Sequence, residues 1–489
     1  MKILMVVHNF PPAFTGGTER AAELLSLELV ERGHEVQVFC GASDAVPEAH
    51  CEDEIHHGLK VRRFFRSEDY KSPVDVHDPD CESAFEDIIR EFQPDVMHLH
   101  HWVHLSTGLV SIAARNNVPS VITLHDYWTT CSLFFRLPDD DDFCRKEESL
   151  ENCLPCLRER RPMEEGELIH SLDMRFRSLM SELLFSSAIV ISGQKQLENI
   201  AQLGRYPRAV FEKIRLVPIG VVPAQFVVER EVEPEKSDLV TIGHWGNLSA
   251  VKGLEVLVQA AAKSKYARRL KIKLIGELKD TNLLARLHEA AGAARIELLG
   301  RYAAESLPKL IADVDVGVFP SLCEETHSIV LDEALLAGLP VIVSDRGAMA
   351  ARVGQRGIVV PANDVQALTK ALDEMADESK RREYAAAPCG DVVDSATYAA
   401  QIEEIYLDLK PPAQGVAVPD LGRDRLTFRN RRFFELGRFA LAADAQKRNI
   451  EEAIRGDAGA LESLRERDPR LAARIEVLLG TTKEDKHDD

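Results

Sequence analysis

The chain opens on an apolar run of strand length, Lys2–Val7 (KILMVV), and then changes period. After Asn9-Phe10-Pro11-Pro12 and Gly16-Gly17, the stretch TERAAELLSLELVER spaces its apolar residues as a helix does, with Leu24, Leu25, Leu27, Leu29 and Val30 on the predicted buried face. Thr18 is the predicted N-cap and Gly33 the predicted stop. A second strand, 35–40 (EVQVFC), follows at once. A strand, a glycine loop, a helix and another strand in this order imply a parallel sheet.

The alternation continues with strands predicted at 61–65, 96–99, 121–124, 189–191 and 215–217, most of them separated by helical stretches. It stops over 219–237, where VVPAQFVVEREVEPEKS reads as a linker, and then resumes. The second set has strands at 239–242, 271–275, 296–299, 316–319, 341–343 and 358–360, with helices near 254–263, 280–292, 305–312, 328–337 and 364–376. The predicted class is α/β: an N-terminal Rossmann-like domain (1–218), the linker (219–237), and a second such domain (238–390). A crossover helix (391–409) and a helical extension with a disordered tail (410–489) complete the chain. In such sheets ligands bind at the carboxyl ends of the strands, here in the cleft where the two domains face each other.

Composition narrows the functional classes. At 489 residues, 45% apolar and 29% charged, the chain suits two packed domains and not extended disorder. A net charge of −20 argues against nucleic acid as a partner, because phosphate neutralisation needs a basic footprint. The nine cysteines fall at irregular spacing, unlike a disulfide framework. Met1-Lys2 is followed by too few apolar residues for a secretory h-region, and no apolar run reaches the roughly 18–20 residues of a bilayer span. Reduced thiols and a cytoplasmic location are therefore expected.

The densest chemistry lies at 319–344, FPSLCEETHSIVLDEALLAGLPVIVS. A strand ends at Pro320, a loop carries Glu325, and a helix opens near Ser328 with Glu333 inside it. Amides at Thr326, His327 and Ser328, at the positive end of a helix dipole, suit phosphate oxygens. Glu333 can accept two hydrogen bonds from a ribose diol, and Glu325 can do the same for sugar hydroxyls. Two incidental acids on a surface helix are the plainer alternative.

The ordered markers Pro320-Ser321, Glu325, Leu331-Asp332-Glu333-Ala334-Leu335 and Gly338-Leu339-Pro340-Val341-Ile342 resemble the paired-glutamate signature of retaining GT-B glycosyltransferases, the glycogen-synthase and sucrose-synthase-like superfamily. The resemblance covers roughly residues 1–409. It implies that Glu333 binds the nucleotide ribose, Glu325 the transferred sugar, and the amides at 326–328 the distal phosphate. It further implies transfer of a sugar from a nucleoside-diphosphate sugar to an acceptor hydroxyl with retention, with neither a cofactor nor a divalent metal required. Thr326-His327-Ser328 stands where the family more often has Gly-Phe-Gly, a departure that bears on which sugar is carried.

Three further segments fit the same resemblance. Lys252, after Gly246-Asn247-Leu248, would grip the diphosphate, while Asn247 replaces an arginine of the family and supplies less charge. Gly16 and Gly17 would lie beside the donor phosphates and the acceptor. His125, at a strand end in Thr123-Leu124-His125-Asp126-Tyr127-Trp128, would stand at the reacting sugar; a histidine capped by Asp126 is the structural alternative. His98, His100, His101 and His104 invite a metal reading, but the similar family segment is simply a strand leaving the sheet.

Cys131, Cys144, Cys153 and Cys156 combine one CxxC pair with two spaced cysteines, a candidate structural zinc site; unligated thiols beside the acidic stretch 139–142 are the alternative. The arginines and phenylalanines of 423–439 suit either docking on an acidic protein surface or peripheral contact with an anionic membrane. The acceptor, whether glycan, lipid-linked or small molecule, is left open. Two other functions stay in view: a catalytically inactive relative that binds a partner or a nucleotide sugar, and a sugar-nucleotide epimerase on the same architecture.

Overall fold

The computed structural model describes residues 1–409, except 15, 69, 71–76, 139–142, 161–163 and 224–237, together with Gly459 and Glu462. Most of the predicted linker, the acidic stretch at 139–142 and the arginine-rich island at 423–439 therefore lie outside the described residues.

The first sheet has eight strands: β1 (Lys2–Val7), β2 (Glu35–Gly41), β3 (His50–His56), β4 (Leu59–Phe65), β5 (Val96–Leu99), β6 (Ser120–Leu124), β7 (Ala188–Ile191) and β8 (Ile214–Leu216). Their spatial order is β3-β4-β2-β1-β5-β6-β7-β8, and every pairing is parallel except β3 with β4. The second sheet has six: β9 (Val240–Trp245), β10 (Leu270–Ile275), β11 (Arg295–Leu298), β12 (Val316–Phe319), β13 (Val341–Ser344) and β14 (Gly357–Val360). Its order, β11-β10-β9-β12-β13-β14, is all parallel and is the doubly wound arrangement.

The central strands read as continuous apolar runs because helices cover both faces of a parallel sheet. Ile3 through Val7 of β1 are fully buried, with Ile3 in register with Val36 of β2 on one side and Val96 of β5 on the other. The helix Ser395–Asp408 follows the second sheet in sequence but packs on the first. Its Tyr398, Ala399, Ile402 and Tyr406 share one buried cluster with Ile3, Met5 and Val7.

Three details depart from the sequence reading. Gly16, not Thr18, is the N-cap of the helix Gly17–Glu31, and no side chain caps it. The buried Glu19 carboxylate folds back there; a Cβ on Gly16 would stand 2.5 Å from its Oε2. Val30, expected on the buried face, is 43% exposed, since Ala21, Ala22, Leu25 and Leu29 form the inward stripe. Strand β3 carries only Cys51 and Ile55 as apolar residues, too few for a period-2 signal. It forms by pairing with β4 across a turn in which His57 and Gly58 have φ of 47° and 82°, and the directly opposed Asp53 and Arg62 are ion-paired at 2.8 Å.

The order of the first sheet reverses between β1 and β5, and that of the second between β9 and β12. Crevices open at such reversals, outside the carboxyl ends of the strands. They collect His8, Gly16 and Gly17 on one side, and Trp245 to Lys252 with Ser321 to Glu333 on the other.

Candidate active site

The loop after β9 is pressed onto the loop after β12. Gly253 has φ 74°, and a Cβ there would lie 2.0 Å from the Pro320 carbonyl oxygen, so only glycine fits. This contact aims Lys252 at the acidic loop, its Nζ 2.7 Å from Glu325 Oε1 and 4.0 Å from Cys323 Sγ. The same Glu325 oxygen accepts from Ser321 Oγ at 2.7 Å. Burial alone would raise the Glu325 carboxyl, but Lys252, Ser321 and Cys323 outweigh it and hold the group below the usual carboxylate range. Burial likewise opposes charge on Lys252, and its contacts with Cys323 and the Glu325 carboxylate more than offset it.

Glu324, which the sequence reading passed over, is also held. It accepts from the Gly347 amide at 2.8 Å and from Arg145 Nη2, which reaches over from the N-terminal half, at 3.2 Å.

Glu333 sits on the helix Ile329–Leu336, opened by Ser328 in the left-handed region at φ 75°. Its carboxylate is 1% exposed and accepts from Trp245 Nε1 at 2.8 Å and Arg20 Nη1 at 3.1 Å. Burial raises its affinity for a proton, with the neighbouring Asp332 adding to the effect and Arg20 and Trp245 opposing it. Beside it lies an open pocket lined by Arg20, Glu23 and His57 from the N-terminal half and by Glu305, Ile329 and Glu333 from the C-terminal half.

The His327 imidazole is buried against Asp332 (2.8 Å), and Arg352 braces both Asp332 and the His327 carbonyl. His327 therefore offers a ligand its backbone and not its ring. Asn247 is exposed on the loop after β9. Gly17 faces the start of the Glu333 helix, where an added Cβ would stand 3.9 Å from Ile329 Cδ1.

His125 directly follows β6, half-buried, with Nε2 2.8 Å from His100 Nδ1. Its carbonyl accepts from Thr326 Oγ1 at 2.5 Å, tying the first sheet to the loop of the second. Burial pushes its pKa down to about 3, so the ring is neutral. Asp126 does not cap His125; it accepts from the Trp128 amide at 2.7 Å and meets His101 Nε2 at 3.3 Å. His98 is spent on Tyr406 Oη and Thr123 Oγ1, at 2.5 and 2.7 Å.

Among the described residues, three potential metal ligands lie within 4.8 Å of one another only at Glu23, His56 and His57. There both imidazoles meet a single carboxylate oxygen, at 2.6 and 3.1 Å. The four cysteines singled out from the sequence line one cavity at the base of the loop that carries Arg145.

Arg20, Trp245, Glu324 and Arg145 join the candidate site without having been singled out in the sequence. Arg20 had a detectable signal, since it lies one helical turn beyond Gly16-Gly17, which were already placed against the cleft. Trp245 and Arg145 had none, because their partners lie in distant segments.

Residues 15–225 match the family model described as Glycosyltransferase Family 4, and residues 239–378 the model described as Glycosyl transferases group 1. The chain is 24% identical over 410 residues to an uncharacterised glycosyltransferase of Methanocaldococcus jannaschii, covering 78% of this chain and 91% of that protein. It is 23% identical over 450 residues to glycogen synthase of Mycobacterium tuberculosis, covering 84% and 95%. The structure of Anabaena HepE in complex with UDP and glucose aligns with a TM-score of 0.56 at 19% identity, over 84% of this chain and 100% of that one. With its two doubly wound sheets and this cleft, the chain belongs to the group 1 glycosyltransferases of the glycogen-synthase-like superfamily and has the GT-B fold.

Proposed function

We propose that this glycosyltransferase moves a hexose from a nucleoside-diphosphate sugar to an acceptor hydroxyl with retention of anomeric configuration, in the synthesis of a glycan, polysaccharide or glycolipid. The observation that carries the reading is the convergence of Lys252, Glu325 and Glu333 at the carboxyl ends of β9 and β12.

In this reading Glu333 takes the ribose, and Lys252 with the amides at 326–328 takes the diphosphate. Glu325 holds hydroxyls of the transferred sugar, and neutral His125 hydrogen-bonds to that sugar from the opposite wall. Gly16 and Gly17 let the backbone of the first half approach the donor. The bond from the anomeric carbon to the phosphate oxygen breaks, the bond to the acceptor oxygen forms on the same face, and the acceptor proton passes to the departing diphosphate. The protein contributes positioning and positive potential at that diphosphate, with no side chain assigned as base and no divalent metal assigned to the reaction. The UDP and glucose bound by HepE support a donor of this class.

The test is a panel of nucleoside-diphosphate sugars with candidate acceptors, the product anomer being read by NMR. The expected product keeps the donor's configuration, and an inverted product overturns the proposal. Release of an epimerised donor without acceptor would replace transfer by epimerisation.

A further inference from the structure

Cys131, Cys144, Cys153 and Cys156 line one small pocket, whose wall also includes Leu133, Leu157, Leu172 and Phe176. All four are free thiols. The backbone that carries them is pinned. The helix Leu150–Arg158, capped by Ser149 Oγ accepting the Asn152 amide at 3.1 Å, presents Cys153 and Cys156 three residues apart on one face. Arg136, 2% exposed, donates to the carbonyls of Thr130 at 2.5 Å, Cys144 at 2.9 Å and Lys146, fixing the chain beside the other two cysteines.

Two guanidiniums, Arg136 and Arg175, are both buried and line the same cavity. Four thiolates on a divalent ion carry a net charge of about −2. Arg136 and Arg175 bring positive charge to that wall, shared with the buried Glu148 carboxyl that lines it too.

We propose that this cavity binds a zinc ion through Cys131, Cys144, Cys153 and Cys156. Four Zn–S bonds form and the four thiol protons leave to solvent. Among the described residues no three of these sulfurs lie within 4.8 Å of one another. Tetrahedral bonds of about 2.3 Å place sulfurs roughly 3.8 Å apart, so zinc entry draws them inward.

The ion staples a strap over the donor loop. Between Cys131 and Cys144 the chain carries Phe135, whose ring centre is 5.6 Å from Lys252 Nζ, and Leu137, which packs on the core of the second half. Arg145, next to Cys144, holds Glu324 at 3.2 Å. The effect on catalysis rests on the donor reading above; the binding of zinc does not.

Elemental analysis of the full chain, purified under reducing conditions without chelator, tests the site directly. One zinc per chain is expected, released when a mercurial titrates the thiols. The double variant Cys153→Ser with Cys156→Ser is expected to lose the zinc, keep its far-ultraviolet circular dichroism, and show a rise of about tenfold to a hundredfold in donor KM. Wild-type protein without zinc, iron and sulfide in its place, or a double variant that keeps its zinc would each overturn the proposal. The wild-type metal count holds whether or not the variant folds, and it is independent of any transfer assay.

Discussion

Arg20 crosses the cleft to Glu333, its Nη1 3.1 Å from Oε1, while Trp245 holds the other carboxylate oxygen at 2.8 Å. The two oxygens proposed to take a ribose diol are therefore already engaged, one by each half of the protein. A buried carboxylate needs such partners to stay charged, and a donor must replace at least the Arg20 contact with hydrogen bonds of its own. In the proposed reading, nucleotide binding at Glu333 is linked to how the first helix lies against the second half.

Glu333→Gln removes the charge and keeps the shape. Nucleotide binding is expected to weaken by about tenfold or more, the loss of one charge-assisted hydrogen bond, while the fold persists. Isothermal titration with nucleoside diphosphates checks this, and an unchanged Kd would contradict the role of Glu333.

Lys252→Ala removes the cation closest to Glu325. A fall in kcat/KM of about 10²–10³ is expected, the scale for losing one stabilising contact at a departing oxyanion. Donor affinity should fall with it, and full activity in the variant would exclude Lys252 from the diphosphate.

The neutral His125 sets a pH expectation. Its folded pKa of about 3 lies below the ordinary histidine value of 6.5, so the unfolded chain binds the extra proton between those limits. The stability it contributes is present above pH 6.5 and is lost as the pH falls toward 3. Its ring does not titrate near neutrality, so His125→Asn should lower kcat without removing a limb of the pH–rate profile between about pH 6 and 8. A limb that vanishes in the variant would refute a neutral His125.

Glu148 works in the opposite direction. Burial pushes its carboxyl up to about 7, against the charges of Arg175 and Arg136. Its contribution is complete below pH 4.5 and is lost as the pH rises through 7. Glu148→Gln should flatten the pH dependence of unfolding over that window by up to about 3 kcal/mol, measured by denaturant titration at several pH values.

Gly253→Ala would force a Cβ to 2.0 Å from the Pro320 carbonyl oxygen at a φ of 74°. Left-handed strain costs about 1–3 kcal/mol, and the clash adds to it. A lower Tm with a larger loss of activity is expected, because the displaced residue adjoins Lys252. Wild-type Tm and rate would show that the Lys252 loop is not held by this contact.

Much of this protein is readable from one dimension. The continuous apolar runs at β1 and β12, each followed by a helical period, identify parallel strands, because burial on both faces removes polar alternation. Glu325 and Glu333 are legible for a related reason. Both lie within a single loop–helix unit, so sequence spacing alone settles their separation. Where a local signal was weak, the reading failed. β3 is a charged edge strand defined by its partner, and Thr18 had the composition of a cap while Gly16 and the folded-back Glu19 occupy that position.

Apolar periodicity carries the two α/β halves, and local spacing singles out the glutamate pair, Lys252 and the four cysteines as candidates, since each depends on a pattern within a few turns of chain. Packing alone brings Arg20 to Glu333, Thr326 to the His125 carbonyl, the four cysteines to one pocket, and Phe135 and Arg145 to Lys252 and Glu324. Those contacts join residues as many as 313 positions apart. They depend on how two sheets are brought together, and no local preference of the backbone carries that information.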